Sequence, residues 1–91
     1  MTADLDLRRR RAAYRAAHRG TKEMDWLLGR FALARLDEMS EAELTQFELL
    51  IDEQDPQLQV WIMDGAAVPD ERFVELIGKV RAFHKLAPKV V

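Results

Sequence analysis

Apolar residues recur along the chain at intervals of three and four positions, and this spacing predicts a protein built of helices. No segment alternates between apolar and polar residues in the way that a half-buried strand does. The 91 residues are enough for one domain. We therefore expect an all-α fold, a compact five-helix bundle over residues 1–91, with an ordered core at about 5–86 and a frayed tail from Pro88.

A glycine and an apolar stripe define the first two helices. The first helix is expected over about residues 4–18, because Gly20 supplies the left-handed conformation in which many helices end. The second should span about residues 22–36. Trp26 and Leu33 fall opposite its main stripe, so this helix either packs on both sides or presents an exposed aromatic ring. The main stripe is Met24, Leu27, Leu28, Phe31 and Ala34.

Capping residues define the remaining three helices. Ser40 and Glu43 form a capping-box pattern at the start of the third helix. Asp55 is expected to cap the fourth, with Pro56 at its first position, and residues 69–71 should open the fifth. The faces expected in the core carry Leu44, Phe47, Leu50 and Ile51, then Leu58, Trp61 and Ile62, then Phe73, Leu76, Ile77, Val80 and Phe83 or His84.

The charges are segregated along the chain, although the net charge is only −2. Eleven acidic residues and no lysine or arginine lie between Asp37 and Glu71. Such asymmetry affects the choice of partner and the rate of association. The basic run comprises Arg8, Arg9, Arg10, Arg11, Arg15, Arg19 and Lys22.

Several classes of protein are disfavoured by composition. The chain has no cysteine, so disulfides cannot stabilise it, and a reducing, cytoplasmic location is expected. No apolar run approaches the roughly 20 residues that span a bilayer, so we expect no transmembrane segment. The N-terminal charges are not followed by an apolar stretch typical of a secretory signal.

Catalytic and metal-binding patterns are also missing. Ser40 is better explained as a cap than as a nucleophile, and His18 and His84 lie in different helices without a metal-ligand spacing. The glycines are scattered and form no phosphate loop. We therefore predict that the chain is not an enzyme and binds no metal.

The basic run could contact nucleic-acid phosphates, but other features argue against it. Tyr14 is the single aromatic residue in the run, no nucleic-acid motif is present, and much of the chain is acidic. We expect no nucleic-acid partner, and a solvated first helix that is partly paired with the acidic helices.

The tract Arg19-Gly20-Thr21-Lys22-Glu23 lies at the junction of the first two helices. Helix termination explains Gly20, and the helix dipole accounts for Glu23. Arg19 is less well explained by local structure, and a guanidinium gives planar recognition of carboxylates and carbonyls. We therefore interpret this corner as a candidate contact surface.

Further residues extend the tract in both directions. They are Tyr14 and Arg15 before it, Asp25 after it, then Leu28 and Phe31, then Leu44, Phe47, Leu50 and Ile51, then Asp55, Pro56, Leu58 and Trp61. The combined order resembles the succinate dehydrogenase assembly factor family, which are small flavinylation factors of bacteria and mitochondria. The resemblance covers roughly residues 8 to 85 and agrees with the five-helix prediction.

This resemblance implies a binding partner rather than a catalyst. Members of the family bind the flavoprotein subunit of succinate dehydrogenase, and often of fumarate reductase, and promote covalent attachment of FAD to a histidine there. The FAD belongs to the client, so no stably bound cofactor is expected. The partner-binding residues implied by the resemblance are Arg19, Gly20 and Glu23, flanked by Tyr14, Arg15 and Asp25. An alternative is a small antitoxin-like or regulatory module whose acidic face captures a basic partner.

Overall fold

The computed structural model describes residues 2–86 and confirms the all-α prediction. Its helices are α1 (Thr2–Ala17), α2 (Lys22–Arg35), α3 (Glu41–Ile51), α4 (Asp55–Ile62) and α5 (Glu71–Phe83), with a 3-10 turn at Leu36–Glu38. Helix α1 packs along α2 and α3, and α5 packs against α2, α3 and α4. The tail predicted to fray from Pro88 lies outside the described residues.

The core is assembled from one apolar face of every helix. Phe31 of α2 and Phe47 of α3 meet at its centre, with ring centroids 6.0 Å apart. The predicted inward residues of α3, α4 and α5 are buried. For the last turn of α5, both candidates contribute: Phe83 packs edge-on against Phe31, and His84 is half-buried beside it.

The stripe predicted for α2 is correct in four of its five positions. Ala34 is exposed, whereas Ala32 and Leu36 are buried. The reason is that α1 lies against the Ala32 side of α2, so the buried face turns towards that neighbour. Trp26 is 51% exposed, so α2 does present an aromatic ring to solvent.

Of the two predicted caps, the Ser40–Glu43 capping box is confirmed and the Asp55 cap is wrong. The Ser40 hydroxyl accepts from the Glu43 backbone N–H at 3.2 Å, and the Glu43 carboxylate accepts from the Ser40 N–H at 2.9 Å. The Asp70 carboxylate caps α5 by accepting from the Arg72 N–H. At α4, however, the capping position is Gln54, so Asp55 is the first helical residue and Pro56 is the second, not the first as predicted. The Asp55 carboxylate is engaged elsewhere, as described below.

Helices α1 and α2 approach each other closely at Gly29. A Cβ at this position would lie 3.1 Å from both the Cα and the Cβ of Ala17. Gly78, on the exposed side of α5, has no comparable neighbour: a Cβ there would meet nothing within 4 Å. Gly29 therefore permits close contact between α1 and α2, whereas Gly78 contributes no packing.

The two glycines predict opposite responses to the same substitution. Gly78→Ala should raise the free energy of unfolding by about 1 kcal/mol, because alanine is the better helix former and its methyl group is unobstructed. Gly29→Ala should lower it, because the methyl group meets the backbone of Ala17. Urea denaturation of the two variants measures the difference. Equal stabilisation by both would contradict the close approach of α1 and α2.

Candidate functional site

The corner between α1 and α2, residues 19–23, is held in shape by its own backbone contacts. Gly20 has a φ of +110°, a conformation that other residues rarely adopt. Thr21 is extended and caps α2, its hydroxyl accepting from the Met24 N–H at 3.3 Å. The carboxylate of Asp25 accepts from the backbone N–H groups of both Arg19 and Gly20. The chain reversal therefore has a defined conformation.

The guanidinium of Arg19 lies inside the fold, with the side chain 10% exposed. Its Nε donates to the Asp55 carboxylate at 2.6 Å, Nη1 donates to the Ile51 carbonyl at 2.6 Å, and Nη2 donates to the Glu53 carbonyl at 2.6 Å. Carbonyls at the end of a helix such as α3 lack partners within that helix, and a cation there is favourable. We call this set of bonds the Arg19 latch, since it fastens the end of α1 to the α3–α4 connection.

The latch explains why Asp55 does not cap α4. Its carboxylate pairs with a largely buried guanidinium, and the penalty for leaving such a charge unpaired exceeds the value of a cap. It also gives Arg19 a role within the fold that the sequence did not suggest. The predicted contact of Arg19 with a partner stays a prediction.

Gly20 and Glu23 face outward from the corner. The φ of +110° is the reason that this position favours glycine. Packing does not require it, because a Cβ on Gly20 would meet nothing within 4 Å and a larger side chain would project into solvent. Glu23 is exposed in the first turn of α2, and within residues 2–86 its carboxylate has no hydrogen bond or ion pair. The corner thus presents a carboxylate beside a bare stretch of backbone.

The flanking predicted residues divide between the surface and the fold. Tyr14 is 65% exposed and stacks on the His18 ring, with centroids 4.0 Å apart. Arg15 is half-exposed and pairs with Asp52 of the α3–α4 connection. Asp25 is occupied by the backbone of the corner. Three of the six predicted residues have contact surface left for a partner, namely Tyr14, Gly20 and Glu23. The other three, Arg15, Arg19 and Asp25, are engaged by residues of the fold.

Part of the basic run joins α1 to its neighbours. Arg8 contacts Glu48 at 2.7 Å and Glu41 at 3.2 Å, and the hydrogen bond to Glu48 is the main cause that raises the pKa of the guanidinium. Arg9 donates to the carbonyls of Leu36 and Met39. The expected pairing of the first helix with acidic residues is therefore observed.

A cavity of about 420 Å³ lined by Phe31, Arg35 and Phe83 opens near the other end of α2 from the corner. Among the described side chains, no cluster of three or more histidine or acidic residues is arranged to hold a metal ion. The arrangement at the corner suits contact with another macromolecule.

Two internal contacts of the corner, made by Thr21 and Asp25, were not predicted from the sequence. Thr21 immediately precedes the apolar stripe of α2, which is the usual signal of an N-cap. The contact of Asp25 with the Arg19 and Gly20 backbone has a weaker signal, an acidic residue in the early turns of a helix.

Comparison with known proteins shows the family to which the chain is similar. A family model described as "Flavinator of succinate dehydrogenase" matches residues 10–84. The FAD assembly factor SdhE of Acetobacter pasteurianus is 38% identical over 77 residues, covering 85% of this chain and 71% of that protein. The mitochondrial succinate dehydrogenase assembly factor 2 of Dictyostelium discoideum is 31% identical over 86 residues, covering 94% of this chain. The chain spans 61% of that longer relative. No solved structure gives a significant match.

The latch predicts that Arg19 and Glu23 differ in their effect on stability. Arg19→Lys keeps the charge but loses the planar guanidinium whose N–H groups reach three acceptors. This substitution should lower the free energy of unfolding by about 2 kcal/mol. Glu23→Ala removes an exposed carboxylate without an internal partner and should change it by less than about 0.5 kcal/mol. Chemical denaturation of the purified variants tests this. Equal losses of unfolding free energy in the two variants would contradict the assignment of Arg19 to the interior and Glu23 to the surface.

Proposed function

The chain belongs to the family of flavinators of succinate dehydrogenase, and on that premise we propose that it is an assembly factor for a flavoprotein. It binds the flavoprotein subunit of succinate dehydrogenase and promotes covalent attachment of FAD to that subunit. The family match over residues 10–84 carries this proposal. The exposed Glu23 carboxylate and bare Gly20 backbone support it, because they suit a contact surface.

The proposed role is positioning rather than catalysis. The histidine and the flavin that react both belong to the client, and the assembly factor holds the client in a geometry that brings them together. Positioning of reacting groups can lower a barrier by several kcal/mol without any added reactive group. The chain itself would hold no FAD stably, and the fumarate reductase flavoprotein would be a second client.

The rigidity of the corner serves this role. Because Arg19, Thr21 and Asp25 fix the turn from inside, little conformational freedom is lost when a partner binds. Glu23 can then accept hydrogen bonds from donors of the client, and the missing side chain of Gly20 lets the client backbone approach.

Among residues 2–86, no helix combines the length and apolar character that crossing a membrane requires.

The alternative of an acidic capture module is less well supported. It needs a free acidic face, but Glu41 and Glu48 pair with Arg8, and Asp52 pairs with Arg15. These internal pairs reduce the negative charge available to a basic partner. We therefore favour the assembly factor.

Glu23→Ala should lower covalent flavin on the client by about tenfold or more, because a charge-assisted contact at the interface is lost. The client is co-expressed with each variant, and protein-bound flavin is read by in-gel fluorescence after denaturation. Glu71→Ala is the matched control, since Glu71 is an exposed carboxylate in the first turn of α5. Wild-type flavin with a folded Glu23→Ala variant would refute the role of Glu23.

Gly20→Ala and Gly20→Arg separate backbone strain from obstruction of the partner. Both variants place a side chain at a φ of +110° and should lose a similar free energy of unfolding, roughly 1–2 kcal/mol. Neither Cβ meets anything within the fold, so only the arginine should also block the client. At a temperature where both variants are folded, flavin should be much lower for Gly20→Arg. Equal flavin would place Gly20 outside the interface.

A further inference from the structure

A group of cations on α1 and α2 has no hydrogen-bond or ion-pair partner in the described part of the chain. Arg8, Arg9 and Arg19 are all engaged internally, as described above. In contrast, Arg10 and Arg30 form no hydrogen bond or ion pair with any residue in the described part of the chain. The same is true of Lys22 at the start of α2 and of Arg11. These charges do not stabilise the bundle through direct contacts.

Two large apolar side chains are exposed beside these cations. Trp26 is 51% exposed and Leu33 is 81% exposed. With Lys22 and Arg30, they follow a spacing of four, four and three positions, so they share one face of α2. The Trp26 ring lies against His84, with centroids 4.6 Å apart, and this contact supports the ring at the surface.

The cations and apolar residues line two depressions that adjoin at Leu33. Near Trp26 and Arg30 the surface forms a shallow depression of about 420 Å³, with Ala17 and Gly29 on its walls. A second depression of about 300 Å³ includes Arg10 and shares Leu33 with the first. We call this the α1–α2 groove, defined by Arg10, Ala17, Lys22, Trp26, Arg30 and Leu33.

We propose that the α1–α2 groove docks an acidic segment of the flavoprotein client. Carboxylates of that segment pair with Arg10, Lys22 and Arg30, while an apolar side chain covers Trp26 and Leu33. The identity of the partner rests on the proposed function. The groove starts at Lys22, within the Arg19–Glu23 corner, so the two surfaces form one continuous interface.

Charge and shape favour a protein segment over a lipid surface. Asp25 lies on the groove near the corner, and Asp6 and Asp37 lie at its far end. These carboxylates would repel the headgroups of an anionic membrane. A peptide can place its own carboxylates opposite the cations and avoid the acids, and a groove between two helices accommodates a segment better than a plane.

A charge-reversing double variant tests the groove. Arg30→Glu with Leu33→Ser should weaken binding of the purified flavoprotein subunit by at least about tenfold, measured by calorimetry. Binding of the wild type should weaken with added salt, and the double variant should show less of this dependence. Both residues are exposed, so circular dichroism should show an unchanged fold.

A matched control carries the same change of charge elsewhere. Lys85→Glu with Val74→Ser alters an exposed cation and an apolar residue that is 51% exposed, both outside the groove. Its affinity for the flavoprotein should stay within about twofold of the wild type. If the control weakened the affinity for the flavoprotein equally, net charge would govern binding, and the groove proposal would be overturned.

The outcomes separate this inference from the proposed function. If the wild type does not bind the flavoprotein subunit, the proposed function fails. If the wild type and the groove variant bind it equally, the groove proposal fails and the proposed function stands. Sedimentation with vesicles containing phosphatidylserine tests the membrane alternative. Vesicle binding that requires Arg30 and Leu33, without an effect on client affinity, would overturn the groove proposal.

Discussion

The hydrogen bonds of the Arg19 guanidinium are the interaction on which the arrangement of this bundle depends. A largely buried cation needs partners on every side, and Arg19 finds them in the Asp55 carboxylate and the carbonyls of Ile51 and Glu53. These partners run from the last residue of α3 to the first residue of α4, so their bonds fix the end of α1 against this corner of the bundle. The direction in which α2 departs from Gly20, and with it the place of Glu23, follows from that constraint.

Electrostatics divides the basic run into two parts with different roles. Arg8 and Arg15 point towards α3 and the residues after it, where acidic side chains neutralise them. Arg10 lies on the other side of α1, beside Leu33 of α2, where no carboxylate bonds to it among the described residues. A compositional view of the chain shows only a basic half and an acidic half. The helical geometry instead produces a neutralised seam between α1 and α3 and a separate groove whose cations Arg10, Lys22 and Arg30 bond to no carboxylate among the described residues.

Helical periodicity and capping patterns were sufficient to predict the fold, because those signals are local. The buried faces of α3, α4 and α5 follow directly from apolar spacing. The errors arose where a distant partner decides: α1 turns α2 so that Ala32 rather than Ala34 is buried, and Arg19 takes Asp55 away from the α4 cap across 36 positions of sequence. The candidate corner was found from residue order. The residue order does not predict which residues of the corner are buried and which are exposed, because that depends on tertiary contacts.

The division of one short motif between the interior and the surface has a consequence for the amount of protein in a cell. Substitutions at Arg19 act on folding, so they raise the unfolded fraction that proteases remove, and the resulting defect is sensitive to growth temperature. If Glu23 makes the proposed contact, substitutions there would leave a normal amount of folded protein that fails to engage its partner. Because folded but inactive copies would then persist beside functional ones, the two positions would produce different genetic behaviour although they are only four residues apart.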